Sequence, residues 1–123
     1  MKRIVFDLDN TLCHCTDGDY SGAIPDLEVI KKLRQYRNQG FEIIIYTSRN
    51  MRTHQSNIGK INALTLPTVL DWLSRHNVPF DEIYVGKPWC GEDGFYVDDR
   101  AVRPDELKRL NYEEILALVR LTK

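Results

Sequence analysis

Four short apolar runs along the chain predict buried β-strands. The first is residues 4–6, and the second is residues 41–46, which contain three consecutive isoleucines. The third and fourth are residues 83–85 and 95–97. Because their apolar residues are contiguous rather than alternating, these segments are typical of strands covered on both faces in a parallel sheet.

Helical periodicity lies between the predicted strands. A first helix is predicted from Pro25, a favourable first-turn residue, to a stop at Gly40. A second is predicted over residues 67–76, and a third begins at Asn111, which can cap it together with Glu114. The residues expected to face the core are Leu27, Ile30 and Leu33, then Val69, Leu70, Trp72 and Leu73, and finally Ile115, Leu118 and Val119. This alternation of strand and helix predicts an α/β fold with right-handed crossovers.

Two segments do not fit this pattern and are expected to be loops. They are residues 13–23 and residues 49–64, of which the second contains at most a short helix. The connection between the third and fourth predicted strands, residues 86–94, is shorter than the dozen or more residues that a crossover between parallel strands usually takes. Fully extended, it reaches roughly 30 Å, enough to cross two strands without a helix. We therefore expect either an irregular crossover here or a misplaced third strand.

Length, composition and charge limit the class of protein. A chain of 123 residues that is 42% hydrophobic and 28% charged predicts one globular domain over residues 1–123. The net charge of -1 argues against nucleic acid or a membrane surface as a partner. The first residues are too short an apolar run for a signal peptide, so we expect a cytoplasmic protein with reduced cysteines.

Small polar clusters directly follow the predicted strands. They contain Asp7 and Asp9 after the first strand, Thr47, Ser48 and Arg49 after the second, Lys87 after the third, and Asp98 and Asp99 after the fourth. Because ligands bind at the carboxyl ends of the strands in open parallel sheets, we expect these clusters to meet in one crevice.

The spacing of the first acidic pair indicates its chemistry. Residues two apart on an extended strand point to the same side, so Asp7 and Asp9 are expected to face the crevice while Leu8 faces the core. Two close carboxylates require a cation, a shared proton, or one ionised and one protonated partner. Mg²⁺ is the natural cation for a cluster of acids. Lys87 and Thr47 suit a phosphate, so the sequence predicts a site for metal and phosphate together.

The order of these residues resembles that of a known superfamily. Asp7, Asp9, Thr47, Lys87 and the pair at 98–99 resemble the four motifs of the haloacid dehalogenase (HAD) superfamily of phosphotransferases. Residues 47–52 and 86–91 also resemble the small capsule-biosynthesis phosphatases. The resemblance implies a three-layer Rossmann-like domain with a mostly parallel sheet and a minimal cap. It also implies a Mg²⁺-dependent phosphomonoesterase that acts on a small metabolite, a sugar or polyol phosphate in capsule or polysaccharide biosynthesis.

The resemblance further implies roles for individual residues. Asp7 is the nucleophile that forms an aspartyl-phosphate, and Asp9 is the general acid and base. Thr47, Ser48 and Lys87 bind the phosphoryl group. The expected metal ligands are Asp7, the Asp9 carbonyl, Asp98 and Asp99. Because capless relatives leave the crevice open, we also expect a homo-oligomer.

Several alternatives remain open from the sequence. Arg49 and Arg52 either contact an anionic part of the substrate or are solvated loop arginines. The cysteines at 13 and 15 with His14 suggest zinc, but reduced thiols are the preferred interpretation because structural zinc needs four ligands.

Two other functions compete with a phosphatase. The first is a phospho-accepting receiver module, but in a receiver the acceptor aspartate lies mid-chain, after the acid pair. Here only Asp71 and Asp81 lie between Thr47 and Lys87, and neither is at a predicted strand end. The second is a catalytically idle binding protein of the same fold.

Overall fold

The chain contains five strands and five α-helices in the described residues of the computed structural model, which are 2–15 and 20–120. In chain order they are β1 (Arg3–Phe6), β2 (Cys13–His14), β3 (Ile24–Pro25), α1 (Leu27–Asn38), β4 (Glu42–Tyr46), α2 (Ile58–Lys60), a π-helical stretch (Ile61–Thr65), α3 (Leu66–Arg75), β5 (Glu82–Tyr84), α4 (Pro104–Arg109) and α5 (Tyr112–Arg120). The backbone contacts group them into two compact units, Met1–Trp89 and Cys90–Lys123. The single domain over residues 1–123 stays a prediction.

A parallel sheet in the order β1-β4-β5 forms the centre of the first unit. Both strand pairings are parallel, so all three strands run in the same direction. Phe6 lies opposite Ile45, and Ile45 lies opposite Ile83 on its other side. Ile43 and Ile45 are fully buried, as expected for a strand covered on both faces. The predicted α/β fold with a parallel sheet flanked by helices is therefore confirmed, as are three of the four predicted strands.

The predicted fourth strand is wrong. Residues 95–97 belong to no strand, and Phe95 and Val97 are 79% and 89% exposed. Local β-propensity produces a strand only where a neighbouring strand accepts its hydrogen bonds and packs against its side chains. The whole stretch from residue 85 to residue 103 is irregular.

The helix signals in the sequence mostly correspond to real helix ends. The Asp26 carboxylate accepts the Val29 N–H at 3.2 Å at the start of α1, and Gly40 follows its end with a φ of 95°. Asn111 and Glu114 exchange two side-chain to backbone hydrogen bonds of 2.9 Å at the start of α5. The predicted capping pair is therefore confirmed.

The second predicted helix begins earlier than its proline suggested. Asn57 accepts the Lys60 N–H at 3.1 Å, and helical structure continues from there through the π-helical stretch into α3. Pro67 lies inside this run rather than at its start. Proline lacks an N–H and therefore cannot donate the usual α-helical hydrogen bond. The π-helical stretch directly before α3 has a different hydrogen-bond pattern, which accommodates Pro67. The predicted loop over residues 49–64 is thus partly helical.

The core of the first unit lies between the sheet and its helices. The fully buried side chains include Leu8, Ile30, Leu33, Ile43, Ile45, Val69, Trp72 and Leu73. Some predicted core positions are wrong: Leu27 is 70% exposed, and Leu70 and Leu118 are 39% exposed. No residue of α5 is buried. Its other two predicted core residues, Ile115 and Val119, are only partly covered.

Two elements were not predicted, the β2-β3 hairpin and α4. β2 forms the start of the predicted loop at residues 13–23, and β3 directly follows its end. Residues 16–19 of this loop lie outside the described residues. In the part of the chain that the structure describes, no helix combines the length and apolar character needed to cross a bilayer.

Candidate active site

Asp7 lies directly after β1, at the carboxyl edge of the sheet. Leu8 is 1% exposed and faces the core, as the alternation along a strand predicts. One oxygen of Asp7, Oδ1, lies 3.7 Å from Lys87 Nζ, and the other, Oδ2, accepts the Thr11 hydroxyl at 3.1 Å. Burial raises the pKa of Asp7, although Lys87 and the hydrogen bonds from Thr11 and Leu8 oppose this shift.

Backbone hydrogen bonds hold the segments after β4 and β5 together at the same edge. The Thr47 N–H donates to the Tyr84 carbonyl at 3.0 Å, and the Lys87 N–H donates to the Thr47 carbonyl at 3.1 Å. Thr47 is 1% exposed, and its Oγ1 accepts the Arg49 N–H at 3.0 Å. The structure therefore brings the polar residues after three of the four predicted strands to one edge.

Asp9 forms a bidentate ion pair with Arg49. Arg49 Nη2 lies 2.7 Å from Asp9 Oδ1, and Arg49 Nε lies 3.1 Å from Asp9 Oδ2. The Arg49 side chain is only 1% exposed, whereas that of Asp9 is 27% exposed. Burial by itself would lower the pKa of Arg49, but the hydrogen bonds and charge of Asp9 outweigh it and the pKa is raised. Arg49 is therefore not a solvated loop arginine.

The Arg49 guanidinium also contacts an aromatic ring. The guanidinium carbon lies 4.3 Å from the ring centroid of Tyr20, a distance typical of cation–π contact. Its Nη1 is buried and has no hydrogen-bond partner within residues 2–15 and 20–120. The sequence did not identify Tyr20, and no local signal could have done so because it is 29 residues from Arg49 in the chain.

A tight turn after β1 positions the acidic pair. The N–H groups of Thr11, Leu12 and Cys13 all donate to the Leu8 carbonyl, at 2.9–3.2 Å. Asn10 has a φ of 64°, a left-handed conformation that asparagine tolerates. The motif spacing could have indicated Thr11, which follows Asp7 by one helical turn and donates to it.

The three residues considered for zinc lie in or beside this turn. Burial raises the pKa of Cys13 to about 12, and its Sγ lies 3.7 Å from Asp9 Oδ1. His14 contacts Asp26 instead, with 3.0 Å between Nε2 and Oδ2. Cys15 is partly exposed and forms no disulfide.

A groove of about 470 Å³ lies between the loops that follow β4 and β5. It is lined by Met51, Arg52, Gln55, Ser56, Pro88 and Trp89. The Arg52 guanidinium carbon lies 5.7 Å from the Trp89 ring centroid. Ser48, predicted to bind phosphate, is partly buried at the start of the first of these loops.

Asp98 and Asp99 belong to the second unit. Both are exposed, and Asp98 Oδ1 accepts the Arg100 N–H at 2.8 Å. The expectation that Asp98 ends a buried strand is wrong, because the strand before it does not form. Within the described residues, no group of three or more His, Cys, Asp or Glu side chains could hold a metal ion. The metal-binding role of this pair stays a prediction.

The fold and the site define an α/β protein with a carboxylate–lysine pair at the carboxyl edge of a parallel sheet. The chain is 55% identical to an MCSG target protein from Vibrio cholerae of known crystal structure, with a TM-score of 0.97 and full coverage of both chains. It belongs to the same family as that protein. No family model matches the chain, and no curated protein matches it.

Two other solved structures have a TM-score of 0.49 with this chain. The first is the Pnkp1/Rnl/Hen1 RNA repair complex, with 15% identity over 88% of this chain and 30% of that one. The second is the D,D-heptose 1,7-bisphosphate phosphatase from B. bronchiseptica complexed with magnesium and phosphate, with 16% identity over 77% of this chain and 54% of that one.

Proposed function

We propose that this protein is a Mg²⁺-dependent phosphomonoesterase of the HAD type that uses Asp7 as its nucleophile. The observation that carries the proposal is the Asp7 carboxylate, which lies at the carboxyl edge of the sheet with Lys87 Nζ at 3.7 Å. A nucleophilic carboxylate needs an accessible oxygen, and the Asp7 side chain is 35% exposed. Lys87 can both stabilise the ionised form of Asp7 and attract a dianionic phosphate.

In the proposed first step, an Asp7 oxygen attacks phosphorus and the bond from phosphorus to the leaving oxygen breaks. The leaving oxygen takes a proton from Asp9, and Lys87 and the Thr47 hydroxyl stabilise the charge on the transferring group. In the second step, Asp9 takes a proton from water, which attacks the aspartyl-phosphate and releases phosphate. The products are an alcohol and inorganic phosphate, and Asp7 and Asp9 return to their initial states.

The Arg49 ion pair constrains how Asp9 can perform this role. A carboxylate with both oxygens bound to a guanidinium is in the form that accepts a proton, as the second step requires. Donation in the first step requires a protonated Asp9, so one of its oxygens must leave Arg49. The exposed part of the Asp9 side chain gives a substrate or water access to that oxygen.

The residues at the end of β1 are compatible with Mg²⁺. Mg²⁺ is usually bound by one or two carboxylates together with water and substrate phosphate. The Asp7 carboxylate supplies one such ligand, and the Asp9 carbonyl accepts no hydrogen bond from the described residues. When bound, Mg²⁺ would neutralise the phosphate and orient it for attack. Asp98 and Asp99 are the proposed further ligands.

A sugar or polyol phosphate from capsule or polysaccharide biosynthesis is the proposed substrate. The groove lined by Arg52 and Trp89 supports this proposal, because an indole ring can stack on a sugar and a guanidinium can bind a second anionic group. A cytoplasmic location remains a prediction.

Phosphate release from a panel of phosphorylated metabolites, with Mg²⁺ and with a chelator, tests the proposal. We expect turnover that requires the metal and falls on the order of 10³-fold or more in Asp7→Asn, because the nucleophile is lost. The matched control is Asp71→Asn, an exposed acid that pairs with Arg75 on α3. Equal rates in the wild type and Asp7→Asn would remove Asp7 from the mechanism. A long-lived phosphoprotein without turnover would instead indicate a receiver module.

A further inference from the structure

The outer edge of β1 has no neighbouring strand. β1 is at one end of the sheet order, so it pairs with β4 on one side and with no strand of the described residues on the other. Val5, in the middle of this strand, is 58% exposed although it is apolar. An unpaired edge presents backbone N–H and C=O groups that can bind another strand. The edge that ends at Asp7 can therefore accept an extended segment.

Residues 95–97 have the properties of the missing strand. Phe95, Tyr96 and Val97 are 79%, 49% and 89% exposed, an unusual state for three consecutive β-prone side chains. They are followed by an aspartate, just as the apolar residues of β1 are followed by Asp7. If this segment pairs in parallel with β1 so that Val97 lies opposite Phe6, Asp98 lies level with Asp7.

The length and shape of the connection between β5 and this segment disfavour the pairing within one chain. The Lys87 N–H is bound to the Thr47 carbonyl, so the chain is still held at the carboxyl edge at that point. Only residues 88–94 remain to return to the opposite edge, fewer than a parallel crossover usually takes.

These connecting residues are also bent. Gly91 has a φ of 82°, and a Cβ at Gly94 would overlap the Cys90 carbonyl oxygen, so residues 90–94 form a tight turn. Short, constrained hinges favour the exchange of identical elements between two copies of a chain. The chain geometry therefore favours a second copy as the source of the strand.

We propose that two copies of this protein exchange residues 90–123, so that residues 95–97 of each copy pair with β1 of the other. This inference rests on the proposed function, because it places Asp98 of one copy beside Asp7 of the other in a shared Mg²⁺ site. The pairing covers Val5, Phe95 and Val97 and removes the open edge. Each active site then contains residues from both copies.

The mass of the protein in solution tests the exchange independently of activity. We expect about twice the chain mass of 14.4 kDa by light scattering. Val97→Lys should convert the dimer to a monomer with an unchanged circular dichroism spectrum, because a charge is introduced into the covered strand. Leu64→Lys is the control, since Leu64 is 63% exposed on the first unit and should leave the dimer intact. A monomeric wild type, or a dimer that survives Val97→Lys, overturns the exchange.

Mixing two inactive variants tests whether the sites are shared. Asp7→Asn and Asp98→Asn should each be inactive as pure proteins, because each lacks one residue in every site. When the two are unfolded and refolded together in equal amounts, about a quarter of the sites combine an intact Asp7 with an intact Asp98. We therefore expect about a quarter of the wild-type rate.

The outcomes separate the exchange from the proposed function. A mixture that stays inactive while the wild type is active overturns the exchange and leaves the phosphatase proposal standing. Full activity of pure Asp98→Asn overturns the shared metal site. A wild type that releases phosphate from no substrate overturns the proposed function, and the effect of Val97→Lys on the mass then still decides the exchange.

Discussion

Replacement of Arg49 by methionine tests the buried ion pair on which the geometry of Asp9 depends. Methionine keeps the aliphatic volume of the arginine stem while it removes the guanidinium that binds both Asp9 oxygens at 2.7 and 3.1 Å. Asp9 would then be a carboxylate beside the buried Cys13 without the guanidinium that compensates its charge.

The expected loss of stability follows from the burial of the two partners. Removing one member of a buried pair typically costs about 3–5 kcal/mol, because the other charge is left unpaired. The Asp9 side chain is 27% exposed, so water recovers part of this and we expect a loss of about 2–3 kcal/mol. With a urea dependence of about 1–3 kcal/mol/M, the unfolding midpoint should fall by about 0.7–3 M.

Two further variants separate this effect from a general loss of packing. Asp9→Asn in the Arg49→Met background should regain about 1 kcal/mol or more, because no unpaired charge then remains. Arg52→Met, an exposed arginine in the same loop, should cost less than about 1 kcal/mol. Urea unfolding midpoints that are the same for Arg49→Met and Arg52→Met would refute the reasoning.

Three other measurements follow from the site. In Lys87→Met the pKa of Asp7 should rise further, because the cation that lowers it is lost; the acidic limb of kcat/KM should move to higher pH, and an unmoved limb would contradict the ion pair. Asp7→Asn should be more stable than the wild type at neutral pH with chelator present, because burial raises the pKa of Asp7 and so disfavours its ionised form. The difference in stability should shrink as the pH falls through the pKa of Asp7 and vanish below the ordinary aspartate range. Urea unfolding at several pH values measures this difference. A thiol reagent should modify Cys15 and Cys90 in the native protein but Cys13 only after denaturation, because Cys13 is buried with a pKa of about 12; three rapidly reacting thiols would contradict its burial.

The parts of the fold that local chemistry controls were predictable from the sequence. The three isoleucines of β4 predicted a doubly covered strand because only burial on both faces favours a contiguous apolar run. The pair Asn111 and Glu114 predicted the start of α5 because their hydrogen bonds involve residues three apart. The position of Asp7 at a strand end followed from the apolar residues directly before it.

The contacts between distant residues were decided only by the tertiary structure. Arg49 lies 40 residues from Asp9, and nothing in its neighbours showed that its side chain would be buried against that carboxylate. Residues 95–97 have the composition of a strand but remain exposed, because strand formation depends on a partner that no local pattern specifies. Sequence periodicity fixes which face of an element is apolar, whereas the partner that covers that face depends on the path of the whole chain.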